Sequence, residues 1–151
     1  MNTTITFYFN EVRFTLLHRR LIKENIINVF RRNNRIAEHI SFIFCTDEFL
    51  LKVNQDYLSH DYYTDIITFD LSDGKGIKGE IYISVDRVRE NAEKLNSPFI
   101  LEMYRVMFHG ILHLCGMKDK TAAQKKLMRA EEDKCIRKLN VVGHKTQQRR
   151  T

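Results

Sequence analysis

Residues 103–115 read MYRVMFHGILHLC and are apolar around almost the whole circumference of a helix. A helix that is hydrophobic on all sides belongs in the interior of a domain. Its strongly polar members are Arg105, His109 and His113, and a spacing of four residues places them in one line along the helix. We therefore predict a central buried helix that carries one polar stripe.

The sequence on either side of this helix predicts an α+β fold. Runs of β-branched and aromatic residues indicate strands, and apolar residues at helical spacing indicate helices. The predicted strands are 5–9, 40–45, 65–70 and 80–85, and the further helices are 15–33, 46–54, 86–96 and 122–139. Ser97-Pro98 is a start signal for the central helix, and Gly116 is a stop signal. We expect one domain over residues 1–140, with a mixed sheet of about four strands packed against four to five helices. Residues 141–151 would form a basic, flexible tail.

Composition excludes several classes of protein. The chain has 151 residues, of which 43% are hydrophobic, and this suffices for one domain with a real core. Its apolar runs fall short of the roughly 20 residues that span a bilayer, and its start lacks the features of a signal peptide. Three widely spaced cysteines fit a reducing compartment, so we expect a cytoplasmic protein without membrane partners. The net charge of +6 favours polyanionic partners such as RNA or DNA.

The polar stripe continues into a pattern that is typical of metal sites. His109, His113, Gly116 and Asp119 form H-x-x-x-H-x-x-G-x-x-D. Two histidines one turn apart can direct their rings at one point, and the glycine lets the chain turn so that the carboxylate returns to the same place. Three protein ligands leave zinc one open position for water, as catalysis requires. The alternatives are two hydrogen-bonded core histidines, and an aspartate that serves only the N-terminus of the last helix.

The same spacing resembles that of the metzincin peptidases. The residue after the first histidine shows whether the chain could share their chemistry. In those peptidases a glutamate at this place acts as general base. Here the residue is Gly110. Peptide hydrolysis by that route would lack its base, so a peptidase is disfavoured.

Residues 109–119, HGILHLCGMKD, strongly resemble the signature of the YbeY family of ribosomal-RNA maturation endoribonucleases. Residues 53–57 (VNQDY) and 63–69 (YTDIITF) resemble the second block of that family, and residues 79–83 (GEIYI) resemble its third. The order and spacing of the blocks match from about Ile40 to Leu139, which is most of the chain.

The resemblance implies a hydrolase that cleaves single-stranded RNA with the help of a metal. The implied ligands are His109, His113 and Asp119, which would hold one zinc ion per chain. The implied role is maturation of the 16S rRNA 3′ end and quality control of 70S ribosomes in the cytoplasm. The partners would be ribosomal RNA and the small ribosomal subunit, with no DNA expected. Beyond the metal-bound water, the sequence identifies no catalytic group.

Three positions depart from the family pattern. The third ligand of the family is usually histidine, and this chain has Asp119 there. The second block of the family commonly has an arginine, and this chain has Leu58 there. In the third block Glu80 stands where the family usually has an aspartate. An aspartate ligand makes a harder metal such as manganese more plausible. Without the arginine, we expect Arg105 or Lys118 to contact RNA phosphate. The departures also favour an alternative function, a non-catalytic ribosome-assembly factor with a structural metal.

Several nearby residues keep two interpretations. Arg105 either contacts RNA or pairs with Glu102. Thr64 and Asp65 either line the cleft or cap the strand that follows. His60 either approaches the site from its polar loop or is an ordinary surface histidine. Cys115 is expected to be a buried structural thiol.

Overall fold

The computed structural model describes the backbone of residues 2–149 and the side chains of residues 2–139. Within this part of the chain, four strands and five helices follow one another. They are β1 (Thr4–Phe9), α1 (Arg19–Arg32), β2 (Ala37–Cys45), α2 (Asp47–Leu58), β3 (Ile66–Asp70), β4 (Ile77–Ser84), α3 (Val85–Lys94), α4 (Phe99–Leu114) and α5 (Ala122–Arg149).

The strands form one mixed sheet in the order β1-β2-β4-β3. β1, β2 and β4 are parallel, and β3 runs antiparallel to β4 at the edge. Helices α1 and α2 supply the crossovers that parallel neighbours require. The predicted α+β fold, with a mixed sheet of about four strands and four to five helices, is confirmed by the four strands and five helices of the described residues.

Each face of the sheet has its own apolar cluster. The larger cluster lies between the sheet and helices α1, α3, α4 and α5, and it includes Phe42, Phe44 and Ile81 from the strands. The smaller one packs Leu50 and Val53 of α2 against β2 and β3. Alternation along the strands explains this division, because neighbouring residues point to opposite faces.

Helix α4 is the central helix that the sequence predicts. Met103, Met107 and Phe108 have no exposed surface, and the helix packs between the sheet and α5. Pro98 is the N-cap residue of this helix, whereas the start signal places a proline at the first helical position, which is Phe99 here. At the other end Gly116 has φ of +94°, and its backbone N–H donates to the carbonyl of His113. Glycine adopts this left-handed conformation at little cost, so the helix ends sharply.

Helices α1 and α2 have boundaries that differ from the expectation. Helix α1 begins at Arg19 and not near Thr15, because the preceding segment has no regular secondary structure, with Leu16 buried in the core and His18 at φ of +58°. Helix α2 continues to Leu58, beyond the expected end near residue 54. The periodicity of apolar residues does not reveal where a chain leaves the helical conformation.

Helix α5 begins with the capping box that the sequence predicts. The Thr121 hydroxyl accepts from the backbone N–H of Gln124, whose side-chain oxygen accepts from the backbone N–H of Thr121, each at 3.1 Å. The helix extends to Arg149, beyond the expected end at Leu139. The side chains of 140–149 and the whole of residues 150–151 lie outside the described part, so the expected flexible tail over 141–151 stays a prediction.

Candidate metal centre

Helix α4 and the turn after it bring three side chains together. His109 and His113 lie one helical turn apart, and Asp119 returns to them after the turn at Gly116. The two histidine Nε2 atoms are 2.9 Å apart. The Asp119 Oδ2 atom lies 3.2 Å from the Nε2 of His109 and 3.3 Å from that of His113. We call these three residues the triad. They are the same three residues that the sequence pattern predicts as metal ligands.

The triad has the dimensions of one face of a zinc tetrahedron. Bonds of about 2.0–2.1 Å in tetrahedral geometry separate neighbouring ligand atoms by about 3.3 Å. The two separations to Asp119, 3.2 and 3.3 Å, match this value, and the 2.9 Å between the two Nε2 atoms is somewhat shorter. The side chains are 24%, 32% and 37% exposed, so one side of the triad is open. The arrangement could therefore hold a metal ion that keeps a free coordination position.

Hydrogen bonds on the far side of each imidazole fix which ring nitrogen faces inward. The Nδ1 of His113 lies 2.9 Å from the Met117 carbonyl, which can only accept, so this nitrogen carries the hydrogen. The Nδ1 of His109 likewise lies 2.6 Å from a carboxylate oxygen of Glu132. In the neutral rings both Nε2 atoms then present lone pairs, and a carboxylate oxygen faces them. Three acceptors that point at one place form a suitable binding site for a cation.

Glu132 is the functional residue that sequence reasoning missed. Its carboxylate is 6% exposed and accepts from both His109 and Arg105. Burial alone would lower the pKa of His109, but the carboxylates of Glu132, Asp119 and Asp65 together raise it. A signal was present in the sequence. Met128, Glu132 and Ile136 recur every four residues, so a glutamate interrupts the apolar stripe of α5.

Two clefts open beside the triad, and both are lined by His109, Asp119, Asp65 and Ile66. The first cleft has a volume of about 360 Å³ and lies between α4 and α5. Its cationic lining residues are Arg105, Lys125 and Arg129. The second cleft has a volume of about 560 Å³ and lies between α4, β3 and the segment after α2. Its further lining residues are Asn54, Leu58, His60, Tyr62, Thr64, Ile67, Thr68, Asp70, His113 and Leu114.

The two expected phosphate contacts occupy different surroundings. The guanidinium of Arg105 pairs with Glu132 at 3.0 Å and with Asp133 at 2.7 Å. Among the described residues these carboxylates, and not Glu102, are its ionic partners. Lys118 is exposed, and it is not among the described residues that line either cleft. A role in RNA binding stays a prediction for both residues.

Most of the residues for which the sequence left a role in the site open lie near the triad. His60, Thr64 and Asp65 all line the second cleft. Burial raises the pKa of Asp65, whose carboxylate accepts a 3.4 Å hydrogen bond from Asn91. Cys115 is buried, and burial raises the pKa of its thiol to about 12, as expected for a structural cysteine.

Among the described residues, none of the helices combines the length and the apolar character that a membrane crossing requires.

Comparison with protein families identifies the chain over most of its length. Residues 6–140 match the family model described as endoribonuclease YbeY. The endoribonuclease YbeY of Cytophaga hutchinsonii is 46% identical over 131 residues, which cover 86% of this chain and 92% of the relative. That of Christiangramia forsetii is 46% identical over 134 residues, which cover 89% and 94%. That of Porphyromonas gingivalis is 45% identical over 132 residues, which cover 87% of each chain.

A solved structure supports the fold. The solution structure of a protein from Thermotoga maritima superposes with a TM-score of 0.64 over 95% of this chain and 93% of that one, at 24% identity. The family match covers most of β1, the other three strands, the helix with the triad, and Glu132 of α5. The chain belongs to the YbeY endoribonuclease family.

Proposed function

We propose that this protein is an endoribonuclease that cleaves single-stranded RNA with one zinc ion, held by His109, His113 and Asp119. The observation that carries the proposal is the meeting of three lone pairs, two from imidazole and one from carboxylate, at zinc-like separations. The names of its relatives, which are endoribonucleases, favour RNA as the substrate.

A zinc ion held by His109, His113 and Asp119 would supply Lewis acidity toward a phosphoryl oxygen of the substrate. The chain's own residues do the positioning. Glu132 holds the Nδ1 hydrogen of His109, and the Met117 carbonyl holds that of His113, so both Nε2 atoms stay directed at one point. The two clefts leave room on either side of the triad for a strand that passes through.

We infer that the RNA is ribosomal, and that cleavage serves maturation of the 16S rRNA 3′ end and quality control of 70S ribosomes in the cytoplasm. The motifs of residues 109–119 support this inference, and the net charge of +6 suits a substrate with a phosphate backbone. We also propose that residues 1–140 form the one functional domain and that residues 141–151 are a basic tail.

A cleavage assay tests the proposal. We expect a labelled single-stranded RNA to be cut by the zinc-loaded protein, and cleavage to stop with a chelator or with His113→Ala. His39→Ala is the matched control, because His39 is an exposed histidine on β2 and lies outside the triad. Cleavage by His113→Ala at the wild-type rate, with the control equally active, would overturn the proposal.

A non-catalytic ribosome-assembly factor is the second candidate. The observation that favours it is Leu58, an apolar side chain that lines the second cleft where the resemblance leads us to expect an arginine. This function predicts that zinc-loaded protein leaves RNA intact, and that His113→Ala still associates with ribosomal subunits as long as it folds.

A further inference from the structure

The segment after α2 exposes aromatic rings at the mouth of the second cleft. The rings of His60 and Tyr62 stack with centroids 5.1 Å apart and planes 21° apart, and we call them the stacked pair. Tyr62 is 55% exposed, and both rings line the cleft that also holds His113 and Asp119. An exposed aromatic pair contributes little to the core, so packing does not explain why it lies beside the triad, and a role in binding is a better explanation.

The stacked pair is held in place by the backbone and by its own hydrogen bond. The side chain of Asn54, which is 1% exposed, donates a 2.9 Å hydrogen bond to the Tyr62 carbonyl. The Asn54 carbonyl accepts from the backbone N–H of His60 at 3.1 Å. The Tyr62 hydroxyl lies 3.0 Å from the Nδ1 of His60. A rigid aromatic surface loses little conformational entropy when a flat ligand stacks on it.

The two clefts differ in the charge of their lining. The first contains three cationic residues, Arg105, Lys125 and Arg129, together with four carboxylates, whereas the described lining of the second contains carboxylates alone as its charged groups besides histidine. Among the described residues that line the second cleft there is no lysine or arginine, and Leu58 adds an apolar wall. Phosphates are bound by cations, whereas bases are bound by flat rings and apolar side chains. The second cleft is therefore suited to a base and poorly suited to a phosphate.

We propose that the stacked pair is a nucleobase subsite, on which one base of a single-stranded RNA stacks while the backbone passes the triad. This inference rests on the proposed function, and it adds the part of the substrate that the second cleft recognises. Stacking tolerates any base, because every base has a π face. It excludes a duplex, whose bases are already stacked on their neighbours. The subsite would thus give the enzyme a preference for single strands without a preference for sequence.

Substitution of Tyr62 tests the subsite. The measurement is the affinity of the metal-free protein for a fluorescent RNA octamer, followed by anisotropy so that cleavage does not interfere. We expect Tyr62→Ala to weaken binding about five- to a hundredfold, and Tyr62→Phe, which keeps the ring, to stay within about twofold of wild type. Tyr8→Ala is the matched control, since Tyr8 is 53% exposed on β1 at the opposite edge of the sheet.

Removal of the bases from the RNA gives a second, independent readout. An octamer without any bases should bind wild type more weakly than the base-containing octamer does, and the difference between the two should be smaller for Tyr62→Ala. Zinc content should be the same in wild type and Tyr62→Ala, since the substituted ring is not a ligand.

Failure of the subsite is distinguishable from failure of the proposed function. If wild type binds and cleaves the RNA but Tyr62→Ala binds as tightly as Tyr8→Ala, the subsite is wrong and the nuclease stands. An equal loss of affinity for single-stranded and duplex RNA in Tyr62→Ala would also overturn base stacking. If zinc-loaded wild type neither binds nor cleaves RNA, both proposals fall.

Discussion

At the scale of single residues, the site depends on which imidazole nitrogen carries hydrogen. Glu132 accepts from the Nδ1 of His109, and the Met117 carbonyl accepts from the Nδ1 of His113. In each neutral ring the hydrogen is therefore on Nδ1. Such outer partners orient metal ligands and raise their basicity. Glu132 is therefore a positioning residue that acts through His109.

Replacement of Glu132 by glutamine tests this role. The amide keeps the size of the side chain but removes the charge that stabilises the ring. We expect Glu132→Gln to bind zinc about 10- to 100-fold more weakly than wild type, measured by competition with a chromophoric chelator. Glu131→Gln is the control, because Glu131 is the neighbour in α5 and pairs with Lys134. Zinc affinity that is the same in both variants would mean that Glu132 does not support the site.

At the scale of elements, the position of α4 on the sheet depends on Gly110. A Cβ atom at this residue would lie 3.0 Å from the Cδ1 of Ile66 and from the Cγ2 of Ile81. These contacts are tighter than packed side chains allow without movement. The absence of a side chain at Gly110 thus lets the helix approach β3 and β4 directly beside His109.

We expect Gly110→Ala to destabilise the protein. The better helix propensity of alanine contributes about 1 kcal/mol, whereas overpacking a core costs about 1–3 kcal/mol, so the net loss is about 1 kcal/mol. Urea denaturation of the metal-free protein measures it. In an Ile66→Val background, which lacks the Cδ1 atom, the loss should be smaller. Equal or greater stability of Gly110→Ala would contradict the close approach.

The sequence predicts elements better than it predicts their ends. The apolar character of residues 103–115 predicts α4, and the capping box at Thr121 predicts the start of α5, because both signals are local. The start of α1 is missed, since the residues before it, with Leu16 buried in the core, do not adopt the helical conformation that their apolar spacing suggests. Strand order β1-β2-β4-β3 likewise comes from non-local pairing, which no short pattern contains.

At the scale of the whole molecule, the site joins segments that are distant in the chain. Spacing along one helix and its turn predicts the triad, because His109, His113 and Asp119 are near in sequence. Glu132 comes from α5, and His60 and Tyr62 come from the segment after α2. Their approach depends on how α5 and β3 pack against α4, and local periodicity carries no information about that packing.

Burial of the cysteines predicts a loss of stability at alkaline pH. Burial raises the pKa of Cys45 from 9.0 to about 12, with Asp47 and Asp86 adding to the effect, and burial raises that of Cys115 to about 12. The folded state therefore keeps thiol protons that the unfolded state releases. This stabilisation is complete below about pH 9 and is lost as pH rises toward 12, at up to about 1.4 kcal/mol per pH unit for each thiol.

Urea denaturation of the metal-free protein at pH 8 and pH 10 checks this prediction. We expect a lower free energy of unfolding at pH 10. Cys45→Ala should lose less between the two pH values than wild type does, although it is less stable at both. Identical losses in the two proteins would show that Cys45 does not contribute to the pH dependence.

The zinc content of the purified protein tests the central claim most directly. After dialysis against a low concentration of zinc, metal analysis should find one zinc per chain in wild type and in His39→Ala, and almost none in His113→Ala or Asp119→Ala. One zinc per chain in folded His113→Ala and Asp119→Ala would show that the metal lies elsewhere, and it would contradict the site that His109, His113 and Asp119 form.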